Sequence, residues 1–188
     1  MKRLIVGLSG ASGAIYGIRL LEVLHEQRDI ETHLIVSRPA ERTIVEETNF
    51  QVSEIKALAS VVHPVHDLGA SISSGSFHTD GMVIIPCSIR TVSAIAYCIS
   101  DNLLTRAADV VLKEKRTLAL VVRETPLHVG HLKAMLAAAE MGALIVPPVP
   151  AFYSRPKTVD EIVDHTVGRV LDHFGIEHKL VKRWGQQP

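Results

Sequence analysis

Ser12, Ser37, Ser88 and Arg123 share one placement: each follows a run of apolar residues that reads as a β-strand. Hydroxyls and a guanidinium therefore gather at strand ends, beside the unpaired amides of the helices expected to follow, and such donors suit a phosphate or another anion. The stretch Gly10-Ala11-Ser12-Gly13-Ala14 points the same way, because a turn of Gly, Ala and Ser lets the backbone come close to a ligand. Its glycines do not make a dinucleotide fingerprint. They fall at Gly7, Gly10, Gly13 and Gly17, outside G-x-G-x-x-G, and no Lys follows to complete a Walker loop. The same five residues nearly match the nucleophile elbow G-x-S-x-G, with Ala14 in place of the last Gly, so a serine hydrolase stands as one alternative. A turn that merely packs helix on strand is another.

Glu46 and Glu47 close an expected helix, where the helix dipole disfavours negative charge. One of them is therefore a candidate for function, a solvated helix end being the plainer reading. Lys113 lies in the run Lys113-Glu114-Lys115-Arg116, which by itself reads as an exposed charged face. Tyr153 beside Phe152 reads equally as a half-buried core aromatic, and Trp184 is the single Trp. Cys87 and Cys98 form no C-x-x-C and read as buried small hydrophobes. His128 and His131 lie three apart with no carboxylate to complete a ligand set, so no metal is expected.

The elements that must carry these residues follow from periodicity. Strands are expected at the opening Leu4-Ile5-Val6 stretch and over 30–36, 81–85, 117–122 and 143–146; Pro86 is expected to stop the third of these. Helices are expected from the Gly-rich turn to about 27, then over 40–47 with Ser37 as cap, 54–59, 92–99, 103–112, 128–141 and 159–174. The polar segment 65–79 reads as a mobile cover over a site. Strands alternating with helices on this spacing specify a doubly wound three-layer αβα sandwich with a mainly parallel sheet, flavodoxin-like or Rossmann-like. In such sheets the ligand lies beyond the carboxyl ends of the strands.

Composition narrows the function. The 188 residues, 47% apolar, suffice for one core and show no break, so 1–188 is expected to be a single domain. Lys plus Arg balances Asp plus Glu at 20 each, which argues against nucleic acid and anionic lipid and leaves small molecules or protein as partners. No apolar run approaches the roughly 18 residues of a membrane span, and no signal-peptide layout opens the chain, so the cytoplasm is the expected compartment.

In order along the chain stand Gly10-Ala11-Ser12-Gly13-Ala14, Glu47-Thr48-Asn49, Ser73-Ser74-Gly75-Ser76, Pro86-Cys87-Ser88 and Asn102-Leu103-Leu104. Arg106-Ala107-Ala108-Asp109, Leu112-Lys113-Glu114, Arg123-Glu124-Thr125-Pro126, Phe152-Tyr153 and Arg183-Trp184-Gly185 follow. With these stretches the sequence resembles, over nearly its whole length, the UbiX-type flavin prenyltransferases, a branch of the flavoproteins related to cysteine decarboxylases. The resemblance implies a metal-independent enzyme that moves a dimethylallyl group from dimethylallyl monophosphate to reduced FMN, closing a fourth ring through N5 and C6. The product would serve as the cofactor of a partner decarboxylase.

By the same resemblance, Gly10, Ala11, Ser12, Ser37, Ser88, Ile89, Arg90, Thr91 and Arg123 would bind FMN, with Ile89 and Arg90 contributing through backbone. Lys113, Tyr153 and Arg169 would hold the donor phosphate, with Arg106 and Arg123 or Glu124 supporting from a neighbouring subunit, Ser74 adding a donor contact and Trp184 either walling the dimethylallyl group or anchoring the tail. Ser12, Glu47 and Glu124 would handle protons. The assembly implied is a homo-oligomer, a dodecamer, with active sites shared between subunits. The chemistry is coherent: phosphate leaving an allylic carbon develops charge that must be neutralised, and the proton lost on ring closure needs a carboxylate with a hydroxyl relay. Many prenyl-transfer enzymes neutralise phosphate with magnesium on a D-D-x-x-D cluster. This chain has no adjacent Asp pair, and a cage of Lys, Arg and Tyr would replace the metal. Two further readings remain, an FMN-binding accessory or carrier subunit of an aromatic acid decarboxylase, and a flavin-dependent decarboxylase in its own right.

Overall fold

Alternation of side chains along the strands builds two cores on one sheet. The computed structural model describes residues 1–181 and Arg183. In β1 (Lys2–Leu8), Leu4, Val6 and Leu8 face one side and Ile5 the other. In β4 (Gly81–Cys87) and β5 (Thr117–Val122), Val83, Ile85, Ala119 and Val121 repeat the first side, and Met82, Ile84, Leu118 and Leu120 the second. With β2 (Ile30–Val36), β3 (Val61–His63) and β6 (Leu144–Ile145) they form a parallel sheet of order β3-β2-β1-β4-β5-β6. Burial on both faces explains why β4 is apolar throughout; each such Leu, Ile or Val stabilises the fold by about 1.5–3 kcal/mol.

The first face is covered by α1 (Ala14–His25), α2 (Arg38–Glu47), α3 (Val52–Ala57) and α7 (Val159–His173). The second is covered by α4 (Ile89–Ala96), α5 (Leu103–Lys113) and α6 (Val129–Glu140). The result is the three-layer, doubly wound sandwich, with every strand pair parallel. Strand order reverses between β1 and β4, and that switch point opens a crevice at the carboxyl ends.

Several expectations need correction. β4 does not stop at Pro86 but runs through it to Cys87; its pairing with β5 shifts between Ile84 and Cys87, the kind of irregularity where a strand proline is tolerated. β3 was not expected, being three residues long. It is fastened from below by a 2.9 Å hydrogen bond between His33 Nδ1 and His63 Nε2, with His33 Nε2 on Glu31 Oε1. Cys87 is buried as expected, and burial pushes its thiol far up, but Cys98 is exposed. Segment 65–79 is pinned rather than a loose cover. Arg116 donates to the carbonyls of Gly75 and Phe77, Arg106 to that of Ser73, and Ile72 is buried.

Candidate functional site

The switch point is tied together by a serine that sequence reasoning passed over. Ser9, just past β1 and 2% exposed, donates its hydroxyl to the Pro86 carbonyl (2.8 Å) and accepts from the Ser88 amide (2.7 Å). It thus locks the ends of β1 and β4 at one height. A hydroxyl at the end of an apolar strand was the available signal. Around it, Gly10, Ser37, Arg38, Pro39, Ser88, Arg90, Thr91, Asn102 and Leu104 line a pocket of about 470 Å³, a volume within the range of small-molecule sites.

Local chemistry sets each helix start on this rim. Ser37 caps α2 by accepting from Ala40 N (3.3 Å), Ser88 caps α4 from Thr91 N (3.4 Å), and Asn102 caps α5 from Thr105 N (3.1 Å). Ser88 Oγ also lies 3.0 Å from Thr91 Oγ1. The first amides of α2 and α4, at Arg38, Ile89 and Arg90, have no acceptor within their helices by the geometry of a helix start. Gly10 is where backbone must come closest: a Cβ there would stand 2.3 Å from Pro39 Cβ. Arg90 reaches outward to Asp101 (2.6 Å), so its side chain is engaged away from the backbone of the turn.

The start of α1 does not await a ligand anion. Glu47, at the end of α2, swings its Oε2 onto the amides of Gly13 (2.8 Å) and Ala14 (3.1 Å), and its carboxylate also takes a hydrogen bond from the Ser12 side chain. This explains the adverse position at the α2 terminus: Glu46 is offset by Arg42 (2.7 Å), and Glu47 answers the dipole of another helix. Burial alone would raise the Glu47 carboxyl, but the bonds from Gly13, Ser12 and Ala14, with the charge of Arg123, hold it below its ordinary value of 4.5. A depressed folded-state value stabilises the fold above the unfolded value, and that contribution is lost as pH falls through the folded one. Urea melts should therefore show wild type losing stability into acid more steeply than Glu47→Gln, and identical pH slopes would refute the cap.

Arg123, after β5, is set by its amide on the Cys87 carbonyl (3.0 Å), and its charge also reaches Tyr16, whose phenol burial raises and Arg123 lowers, burial winning. Ser12, Glu47, Arg123 and Tyr16 thus form one cluster beside the pocket. Glu124 is half-buried and accepts from Thr125 N (3.1 Å). The remaining predicted residues lie elsewhere. Tyr153, in the turn Phe152–Ser154, shares a 3.0 Å hydrogen bond with His165 of α7, and Arg169 pairs with Asp172 (2.8 Å). α5 starts at the rim and runs down to where β5 begins, so Arg106 sits in its first turn, paired with Asp109 (2.8 Å), and Lys113 at its far end, paired with Glu114. Ser74 hydrogen-bonds Ser76 (2.9 Å) in the pinned segment. Trp184 lies outside the described residues. Among the described residues, no three His, Cys, Asp or Glu side chains gather as a metal site, and no helix is long and apolar enough to cross a membrane.

A Rossmann-type sandwich with hydroxyls, helix-start amides and a guanidinium at its switch point is a nucleotide- or flavin-class binding domain. Comparison with known proteins agrees and goes further. The Flavoprotein family matches residues 1–171. The flavin prenyltransferase UbiX of Escherichia coli strain K12 is 61% identical over 186 residues, 98% of each chain, and that of Thauera aromatica 56% over 182 residues, 97% of this chain and 93% of the other. Among solved structures, the dodecameric FMN-dependent UbiX-like decarboxylase from Escherichia coli O157:H7 superposes with TM-score 0.96 at 52% identity, covering 98% of this chain and 100% of that one. AnUbiX (PadA1) in complex with FMN and dimethylallyl pyrophosphate gives 0.96 at 45%, covering 100% and 99%. The chain belongs to the Flavoprotein family, in its branch of UbiX-type flavin prenyltransferases.

Proposed function

We propose that residues 1–188 form a single FMN-binding domain that transfers the dimethylallyl group of dimethylallyl monophosphate to N5 and C6 of reduced FMN, without metal. It acts in the cytoplasm as a homo-oligomer with shared active sites, and a decarboxylase receives the product. The observation that carries this reading is the near-full-length identity to flavin prenyltransferases. The rim fits an FMN: the Gly10 backbone leaves no room for a side chain at the turn, and hydroxyls of Ser37, Ser88 and Thr91 with the amides of Ile89 and Arg90 supply donors for a ribityl phosphate.

Reduced FMN supplies the nucleophilic N5 and C6. Everything else falls to this chain. Gly10, Ala11, Ser37 and Ser88 to Thr91 hold the acceptor, and Arg123 faces it from β5. Glu47, ionised at neutral pH and bonded to Ser12, is the proton acceptor with Ser12 as relay; Glu124, next to Arg123, is the second carboxylate available. Lys113, Tyr153 and Arg169, aided by Arg106 and Ser74, neutralise the departing phosphate. In one chain Lys113 stands at the far end of α5 from the rim, so a neighbouring subunit must deliver it, which supports the shared site.

The donor distinguishes this reading. The AnUbiX complex holds dimethylallyl pyrophosphate, but a cage of organic cations without metal suits the lower charge of a monophosphate. With reduced FMN, dimethylallyl monophosphate should give kcat/KM about tenfold or more above the pyrophosphate. Equal use of both would overturn the donor assignment, and no prenylated flavin from either would overturn the function.

A further inference from the structure

We propose that Asp172 is the positioning residue of the donor-phosphate site, one carboxylate that sets Arg169 and fastens the C-terminal tail, so that donor binding and tail docking are coupled. The proposal rests on the reading of Arg169 as a phosphate ligand.

His165, Arg169 and Asp172 fall at i, i+4 and i+7 on α7 and share a face. Tyr153 joins that face through His165, ring against ring at 5.7 Å. At its end, Asp172 Oδ2 accepts from Arg169 Nη1 (2.8 Å) and Arg183 Nη1 (3.3 Å), while Oδ1 accepts from Arg183 Nη2 (2.7 Å) and His178 Nε2 (3.1 Å). His178 Nδ1 accepts from Leu180 N (3.2 Å), so Nε2 carries the proton given to Asp172. Arg183 also lies close to the Tyr153 phenol.

Packing seats the tail as well as these bonds. Gly168, one residue before Arg169, opens a notch in α7: a Cβ there would stand 2.4 Å from Val181 Cγ2 and 2.7 Å from His178 Cε1. His178 is consequently almost fully buried. The chain thus crosses α7 beside Arg169 and ends its described course with Arg183 on the same carboxylate.

Two guanidiniums on one carboxylate leave one positive charge uncompensated. Arg169 spends one of its five N–H donors on Asp172 and has the others to offer a phosphate. A donor phosphate on those other N–H groups fixes Arg169 against Asp172 Oδ2, and with the carboxylate fixed the grip on the tail tightens. By reciprocity, a docked tail fixes the carboxylate that presents Arg169 and favours phosphate binding.

The test uses the full-length, FMN-loaded enzyme. Asp172→Asn should raise KM for dimethylallyl monophosphate about tenfold with kcat and FMN affinity little changed, and Asp172→Glu should recover most of it. In wild type, donor addition should slow hydrogen exchange of residues 176–181; in Asp172→Asn it should not. If Asp172→Asn does not fold, Arg183→Gln carries the same expectations. Unchanged KM in a folded variant, or tail exchange indifferent to donor in wild type, overturns the proposal. Arg169→Gln separates the levels: KM raised there but not in Asp172→Asn removes the positioning role alone, whereas KM unchanged in Arg169→Gln removes the phosphate assignment and this proposal with it.

Discussion

Glu47→Gln keeps FMN binding and lowers the rate of flavin prenylation by about 10²- to 10⁴-fold. The amide oxygen of Gln can still accept from Gly13 and Ala14, so the start of α1 stays capped and the rim keeps its shape. What the amide cannot do is take up a proton at neutral pH. The carboxylate is ionised there, since its folded-state value lies below the ordinary one, and Ser12 is bonded to it as a relay. Fluorescence titration with FMN and a single-turnover measurement under reducing conditions separate binding from chemistry. The outcome also decides against the carrier reading, because a subunit that only delivers FMN would show no loss. An unchanged rate would remove Glu47 from proton transfer.

Co-expressing two inactive variants restores activity. Lys113→Ala spoils the far end of α5 and Glu47→Gln spoils the rim, and in one chain these lie at opposite ends of the sheet. If each active site takes its rim from one subunit and Lys113 from its neighbour, random assembly gives about a quarter of sites both groups intact. Mixed oligomers should then recover roughly that share of wild-type activity, while either variant alone stays near background. A mixture no better than its parts would place both groups in the same subunit's site, against the shared-site reading.

How far the sequence revealed this depends on how local each cause was. β2 and β5 were legible to the residue, because the apolar run of β5 and the Ile30 and Leu34-Ile35-Val36 ends of β2, each bounded by turn residues, leave few other options. Ser37 and Ser88 were legible as strand-end hydroxyls and prove to be caps. Three-residue β3 was not, as Val61-Val62-His63 carries too little pattern, and its hold comes from His33 of the neighbouring strand β2, 30 residues away in sequence. Pro86 misled because a ladder shift, invisible in sequence, makes room for it. Glu47 announced itself by standing at the wrong end of a helix, but its partners are 33 and 34 residues away. Ser9 acts through tertiary contacts, its one local signal being a hydroxyl at the end of an apolar strand, and of the partners of Asp172 only Arg169, three residues before it on α7, is within reach of a spacing rule.

The most direct measurement is a mass spectrum of the flavin after anaerobic incubation of the protein with reduced FMN and dimethylallyl monophosphate in excess EDTA. A cage of main-chain amides, hydroxyls and organic cations predicts a flavin heavier by one C5H8 unit, at the same rate with or without the chelator. A flavin of unchanged mass, or one prenylated only after a divalent cation is restored, would contradict it.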